Sequence, residues 1–355
     1  MELHKTKIHK TEPYRIEENQ TEPAVLNKRI ECVLEALVTG DAMGMPTEFM
    51  TRNDIKNKFK GYVDQIIDTR YSRLHRDLPT GSVTDDSEQN LILMRKYIEN
   101  GEVTVEATAD GLLQWIEETD ACARNYIGPS ARKALTDIQN GLSPYESGKT
   151  GTTCGGIMRV PSAFLACPYQ EEEELTSRIR RCLIPTHNTS EALEAAGAYG
   201  FALRSAFWNA DFDTVIEAAL RGAGQMLEAV EEIHSAPSSA ARIREVVGRS
   251  REMGETQLMD WLHDVLGCGL SSADVCGAVF AVFAKARTDV FKAICMGASM
   301  GGDTDTIAAL AGALCAAFAG RHNIPAEIQN MVLETNHLDL EQLSQSVSVR
   351  HITSL

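Results

Sequence analysis

Apolar residues recur at helical spacing along most of the chain, and strand-like alternation is scarce. Ile30, Val33, Leu34 and Leu37 stand at i, i+3, i+4, i+7, so the spacing predicts a helix from near Asn27 that Gly40 interrupts. A second helix is expected over Asp86–Glu99, with Leu91, Met94, Tyr97 and Ile98 on one side. At its start Asp85 with Glu88, and Asp86 with Gln89, have capping-box spacing. The same period predicts helices over Val105–Glu118, Pro129–Asn140, Ser190–Trp208, Asp213–Ile233, Ser238–Arg251 and Glu255–Leu266. It continues over Ser272–Ala286, Val290–Met296, Thr306–Phe318, Pro325–Glu334 and Leu340–Val347. Pro161–Tyr169 reads as a long irregular link. Residues 1–27 are polar, carry Pro13 and Pro23, and lack a helical period, so they read as a flexible, extended N-terminal arm. No shift of composition divides residues 28–355. The expected fold is all-α: one large helical domain preceded by that arm.

Composition narrows the function classes. Fifty acidic residues against 34 basic ones leave a formal charge of −16, which argues against nucleic acid as a partner. The acidity also serves plain solubility. Nine cysteines, an odd number without a C-x-x-C pair, read as free thiols in a reducing cytoplasm. The N-terminus has no apolar signal core, and the longest apolar run, Ile307–Ala319, is too short to span a bilayer, so a membrane is not an expected partner.

Four polar clusters stand where helices begin or end: "GDAMGMPTE" (40–48), "GSVTDDSEQ" (81–89), "IPTHNTSEA" (184–192, with Asn188 and Glu191 at capping-box spacing) and "GGDTDT" (301–306). Asp and Thr at a helix start are ordinary caps, and a cap alone explains "TDD". "GGDTDT" offers two carboxylates where a cap needs one, and it opens an Ala- and Gly-rich segment that neighbours can pack tightly. Thr84-Asp85-Asp86 and Asp303-Thr304-Asp305-Thr306 share one chemistry of paired carboxylates with hydroxyls. All-oxygen sets suit hard divalent cations, and four converging carboxylates without a cation repel one another. Two divalent ions would neutralise them.

The ordered set GDAxGxPxE, TDDS, a Gly-rich loop ending in MR, PTH before an Ala-rich helix, and GGDTDT resembles the ADP-ribosylglycohydrolase family, from Lys28 to the C-terminus. The resemblance implies an all-α fold, a centre of two Mg²⁺ or Mn²⁺ ions, and release of ADP-ribose from an ADP-ribosylated protein, with arginine linkage favoured. It implies metal ligands at Thr84, Asp85 and Asp86 from one side and Asp303, Asp305 and Thr306 from the other. Glu48 matches the family glutamate that positions or deprotonates the attacking water; with Asp86 and Asp303 it forms the expected catalytic set. The loop "GKTGTTCGGIMR" (148–159) matches the stretch around the diphosphate, which makes Gly151, Thr152, Thr153, Cys154 and Gly155 expected substrate contacts. His187 is expected beside the substrate, and Asp41 to tie the turn after the first helix. Three departures stand out: Cys154 in place of Asn, Tyr126 where many relatives carry Asp, and Ser299 where an Asn is frequent. Cys154 reads as a small filler rather than a reactive thiol.

A chain with such an arm is also similar to immunity proteins paired with type VI-secreted ADP-ribosyltransferase toxins. That likeness implies a cognate toxin as a partner, with the arm occluding it. The alternatives are a housekeeping ADP-ribosyl hydrolase of another linkage, and a catalytically weak binder that only blocks a partner.

Overall fold

In the computed structural model the described residues are 22–121, 126–168, 171–230 and 233–352, with the side chains of 348–352 left aside. They form seventeen α-helices, most joined by short connections but with a long irregular one over 60–84, and no strand. In order these are α1 (Pro23–Gly44), α2 (Arg52–Phe59), α3 (Asp85–Asn100), α4 (Val105–Thr119), α5 (Pro129–Gln139) and α6 (Pro144–Ser147). Then come α7 (Val160–Leu165), α8 (Glu172–Leu183), α9 (Ser190–Phe207), α10 (Phe212–Glu228), α11 (Ser239–Glu252) and α12 (Glu255–Trp261). The chain closes with α13 (Ser272–Ala286), α14 (Val290–Ser299), α15 (Thr304–Ala319), α16 (Ala326–Thr335) and α17 (Leu340–Ile352). The all-α expectation holds, and the buried apolar side chains form one continuous core.

At the centre is α15, whose residues Thr304–Ala317 are all buried. It packs most extensively on α1, and then on α14. Small residues make this close approach feasible. A Cβ on Gly40 would lie 2.4 Å from the Ala308 carbonyl oxygen, and one on Gly44 would lie 2.3 Å from that of Thr304. On the other side, a Cβ on Gly297 of α14 would lie 2.5 Å from Ala308 Cα. The two helix backbones therefore touch where ordinary side chains would hold them apart.

Several local expectations are corrected. Gly40 does not interrupt the first helix: α1 runs through it to Gly44, because the missing side chain serves the α15 contact and not a break. That helix also starts earlier, at Pro23, with Leu26 buried. Residues 1–21 of the expected arm lie outside the described residues, so the toxin-occluding role assigned to it does too. Residues 161–165, expected as irregular, belong to the buried helix α7, in which Pro161 sits in the first turn where no N–H is required. Tyr169 lies outside the described residues. The pattern reading also passed over α2 and α8. The first is short and polar, and is started by a Thr51–Asp54 capping box. The second buries Leu175, Ile179, Cys182 and Leu183, an i, i+4, i+7, i+8 stripe. The expected α12 gives way after Trp261 to a π turn over Leu262–Leu266, and α10 ends at Glu228, short of Ile233.

Because the α1–α15 contact is backbone to backbone, Gly40→Ala should lower stability by about 1–3 kcal/mol through overpacking. Gly224, inside α10, faces open space, and Gly224→Ala should leave stability unchanged or raise it by up to about 1 kcal/mol. Urea unfolding followed by circular dichroism separates the two. A Gly40→Ala protein as stable as wild type would contradict the packing argument.

Candidate active site

The first acidic cluster is placed by α3. Thr84 precedes the helix, and Asp85 and Asp86 occupy its first turn. The expected capping boxes do not form, because the capping carboxylate comes from α1. Asp41 Oδ2 accepts from the peptide N–H groups of Thr84 (2.9 Å) and Ser87 (3.0 Å). The hydroxyls of Thr84 and Ser87 also donate to Asp41, at 2.6 and 2.5 Å. Asp41 therefore ties the start of α3, not the turn after its own helix. At α9 the cap is likewise not Asn188 but Thr189, whose hydroxyl accepts from Ala192 N.

The second cluster is placed by the turn before α15. Gly301 (φ 84°) and Gly302 (φ 79°) take left-handed backbone, and a Cβ on Gly302 would lie 1.9 Å from the Cys268 carbonyl oxygen. Phe49 N–H donates to Gly302 O (2.7 Å), and Gly302 N–H to Met50 O (3.0 Å). This pairing fastens the Glu48 turn to the Gly-Gly turn. Phe49 itself has φ 57°, a strained conformation for a bulky residue, immediately after Glu48. Thr304 points away from the cluster and donates to Gly44 O (2.8 Å). Ser299 braces the same turn from behind, since its hydroxyl accepts from Val63 N (2.8 Å).

The two clusters meet, over two hundred residues apart in sequence. Thr306 Oγ1 donates to Asp86 Oδ2 at 3.0 Å. Oxygens of Glu48, Asp303 and Asp305 lie within 4.8 Å of one another, all three residues buried. Burial pushes the carboxyls of Glu48, Asp85, Asp86 and Asp303 well above the usual range, and the Asp305 charge adds most among the neighbours. Asp41 rises only to about 7, since burial and Asp305 are opposed by the hydrogen bonds from Ser87 and Thr84. Asp86 Oδ1 and Asp305 Oδ1 are buried without a hydrogen-bond partner. An all-oxygen set with orphaned, mutually repelling acceptors is the donor chemistry a hard divalent cation fits.

A cavity of 620 Å³ opens over the cluster and is lined by Glu48, Asp85, Asp86, Asp303, Asp305 and Thr306. From the Gly-rich loop it is lined by Thr153, Cys154 and Gly155. Thr84, Gly151, Thr152 and His187 do not line it. Thr84 gives its hydroxyl proton to Asp41, which leaves its oxygen lone pairs free. Gly151 and Thr152 serve as supports: Thr189 Oγ1 donates to Gly151 O, and Ser272 N–H to Thr152 O. His187 is fully buried behind the loop, between Thr153 Oγ1 (3.0 Å) and Thr186 Oγ1 (2.8 Å). Burial and the Arg159 guanidinium push its pKa well down, which favours the neutral imidazole at this place behind the loop. Cys154 Sγ donates to Asp303 Oδ2 (2.9 Å), and burial raises its pKa well above the usual thiol value, consistent with a filler.

Sequence reasoning passed over several lining residues. His75 stands 3.2 Å from Glu48 but lies in a stretch without periodicity. Phe49, Leu270, Arg132 and Lys133 also line the cavity. The two basic residues follow the Pro129 start of α5, where a helix pattern gives no hint of a cavity. Tyr126 lines it too, and donates through its hydroxyl to Val83 O (2.9 Å).

The ADP-ribosylglycohydrolase family model matches residues 22–353. The chain belongs to that family. It is 26% identical to the uncharacterised protein YegU of Escherichia coli (strain K12), over 90% of this chain and 96% of YegU. It is 23% identical to the ADP-ribosylarginine hydrolase Tri1 of Pseudomonas putida (strain GB-1), over 90% of this chain and 77% of Tri1. A solved structure titled as an ADP-ribosylglycohydrolase-related protein complex superposes with a TM-score of 0.66 at 26% identity, covering 92% of this chain and 98% of its own. Membership of this family supports ADP-ribosyl hydrolysis as the general class of reaction. Among the described residues no helix is long and apolar enough to cross a membrane.

The electrostatics carry a pH prediction. Each raised carboxyl contributes its stability fully below the unfolded value of about 4 and loses it as pH rises through the folded value. For Asp41 that folded value is about 7. The thermal midpoint of chelator-treated protein should therefore fall between pH 5 and pH 8. Near saturating Mn²⁺ should restore about 5 °C or more at pH 8 and much less at pH 5. A midpoint that rises with pH without metal would contradict this electrostatic account.

Proposed function

We propose that the chain is a divalent-metal-dependent hydrolase that releases ADP-ribose from ADP-ribosylated protein, with arginine as the favoured linkage. The observation that carries the metal dependence is the buried cluster with two orphaned oxygens, Asp86 Oδ1 and Asp305 Oδ1. Thr84, Asp85 and Asp86 would hold ions from the α3 side, and Asp303, Asp305 and Thr306 from the α15 side. When bound, a pair of Mg²⁺ or Mn²⁺ ions supplies the charge that neutralises these carboxylates and holds the ribose hydroxyls. Arginine linkage is supported by the likeness to Tri1, whose name specifies it.

The chain's own residues do the rest. Glu48 lines the cavity beside Asp303 and Asp305, where its carboxylate positions the attacking water and takes its proton. Neutralising the cluster lowers the Glu48 pKa again and so returns it to the form that accepts a proton. Thr153, Cys154 and Gly155 form one wall for the diphosphate, and Arg132 and Lys133 bring positive charge to the same cavity. The apolar lining from Phe49, Met158 and Leu270 limits bulk water in the cavity, so that the water held by Glu48 is the one that reaches the bond.

Incubation with ADP-ribosylarginine and ADP-ribosylserine proteins, with and without Mg²⁺ or Mn²⁺, tests the reading. Wild type should release ADP-ribose from the arginine-linked substrate only with metal. Asp303→Ala should lose about a thousandfold or more in turnover. Metal-independent release, or an Asp303→Ala protein as active as wild type, would sink the metal assignment. Release from serine alone would refute the arginine preference.

A further inference from the structure

The carboxylate read as the water-positioning group has no aligned hydrogen-bond donor on its Oε2. Glu48 is buried, and a long, flexible side chain in a crowd of negative charges is pushed away from them. Something must hold it in place. The polar atom facing it is His75 Nε2, 3.2 Å from Glu48 Oε2, with both side chains about nine-tenths buried. The contact lies off the line of an ideal hydrogen bond, as such pairs often do before substrate tightens them.

His75 is itself firmly placed. Its peptide N–H donates to the buried Ser72 hydroxyl (2.9 Å), and its carbonyl accepts from Leu78 N–H (3.2 Å). Its ring stands edge-on to Tyr126, with centroids 5.2 Å apart and planes at 88°. The Tyr126 hydroxyl donates to Val83 O, one residue before Thr84. A contiguous path thus runs from Glu48 through His75 and Tyr126 to the backbone that opens the first acidic cluster. The aromatic ring at 126 supports the imidazole through this edge-on ring contact.

We propose that His75 is the positioning residue for Glu48, braced by Tyr126. Its Nε2 holds the Oε2 edge and so keeps the carboxylate beside Asp303 and Asp305. A neutral or a charged imidazole can donate from Nε2, so the role needs only an N–H at that place. The inference rests on the reading of Glu48 as the water-positioning group.

Two substitutions separate this role from mere packing. His75→Phe keeps a ring against Tyr126 and removes the donor; His75→Gln restores an amide donor. With an ADP-ribosylated substrate and saturating Mn²⁺, His75→Phe should lower kcat about ten- to a hundredfold. KM and the Mn²⁺ affinity measured by calorimetry should stay within about twofold, because no metal ligand is touched. His75→Gln should recover most of the loss. A His75→Phe kcat within twofold of wild type, an equal loss in His75→Gln, or a parallel fall in Mn²⁺ affinity would each overturn the proposal. A crystal structure of His75→Phe reads it without turnover: Glu48 swung away from Asp303 and Asp305 supports it, and Glu48 unmoved and ordered overturns it. Should wild type release ADP-ribose from no substrate, the reaction reading fails alone, and the crystal structure still decides the role of His75.

Discussion

The approach of two helix backbones, α1 at Gly40 and Gly44 against α15 at Ala308 and Thr304, is the contact on which the site depends. It fixes where α1 ends relative to where α15 begins. Asp41 lies on α1 between the two glycines, and Glu48 follows α1 after one 3₁₀ turn. The Thr47 hydroxyl reinforces the join by donating to Ala298 O (2.7 Å). Side chains of ordinary size at these positions would move the helices apart by ångströms, and carboxylate oxygens placed within a few ångströms of each other would lose their register.

The second constraint is electrostatic. Asp85 and Asp86 sit in the first turn of α3, and Asp303 precedes α15 with Asp305 in its first turn. Helix N-termini carry partial positive charge and spare N–H donors, so each pair of carboxylates is placed where a helix eases its cost. That relief is partial: the carboxyls of the cluster still sit far above their usual range. Asp41 shows how the chain manages such a burden, since four donors at the start of α3 surround its carboxylate. Asp86 Oδ1 and Asp305 Oδ1 have no such donors. That difference separates the carboxylate that builds the fold from those that the proposed cations would neutralise.

Much of this was legible in the sequence because it is local. The paired acids of "TDD" and "GGDTDT" declare oxygen-ligand chemistry, and the Ala/Gly run after Asp305 declares a buried, close-packed helix. The left-handed turn at Gly301 and Gly302 is equally a sequence signal. What was not legible is tertiary. Gly40 looks like a break when it is a contact, because nothing in the sequence places Ala308 against it. Asp41 acts on a helix that starts more than forty residues later. His187 looks like a ligand because histidine beside a polar turn invites that reading, but its two ring nitrogens are taken by Thr153 and Thr186. His75 sits in an aperiodic stretch, and only the folded chain sets it beside Glu48.

The central claim is that helices α3 and α15 form the two halves of one cation cage. The most direct measurement is anomalous diffraction from crystals grown with Mn²⁺. The account predicts two peaks between the Thr84–Asp86 turn and the Asp303–Thr306 turn, within ligand distance of Asp86 and Asp305. The absence of any peak there at saturating Mn²⁺, or peaks elsewhere in the chain alone, would contradict it.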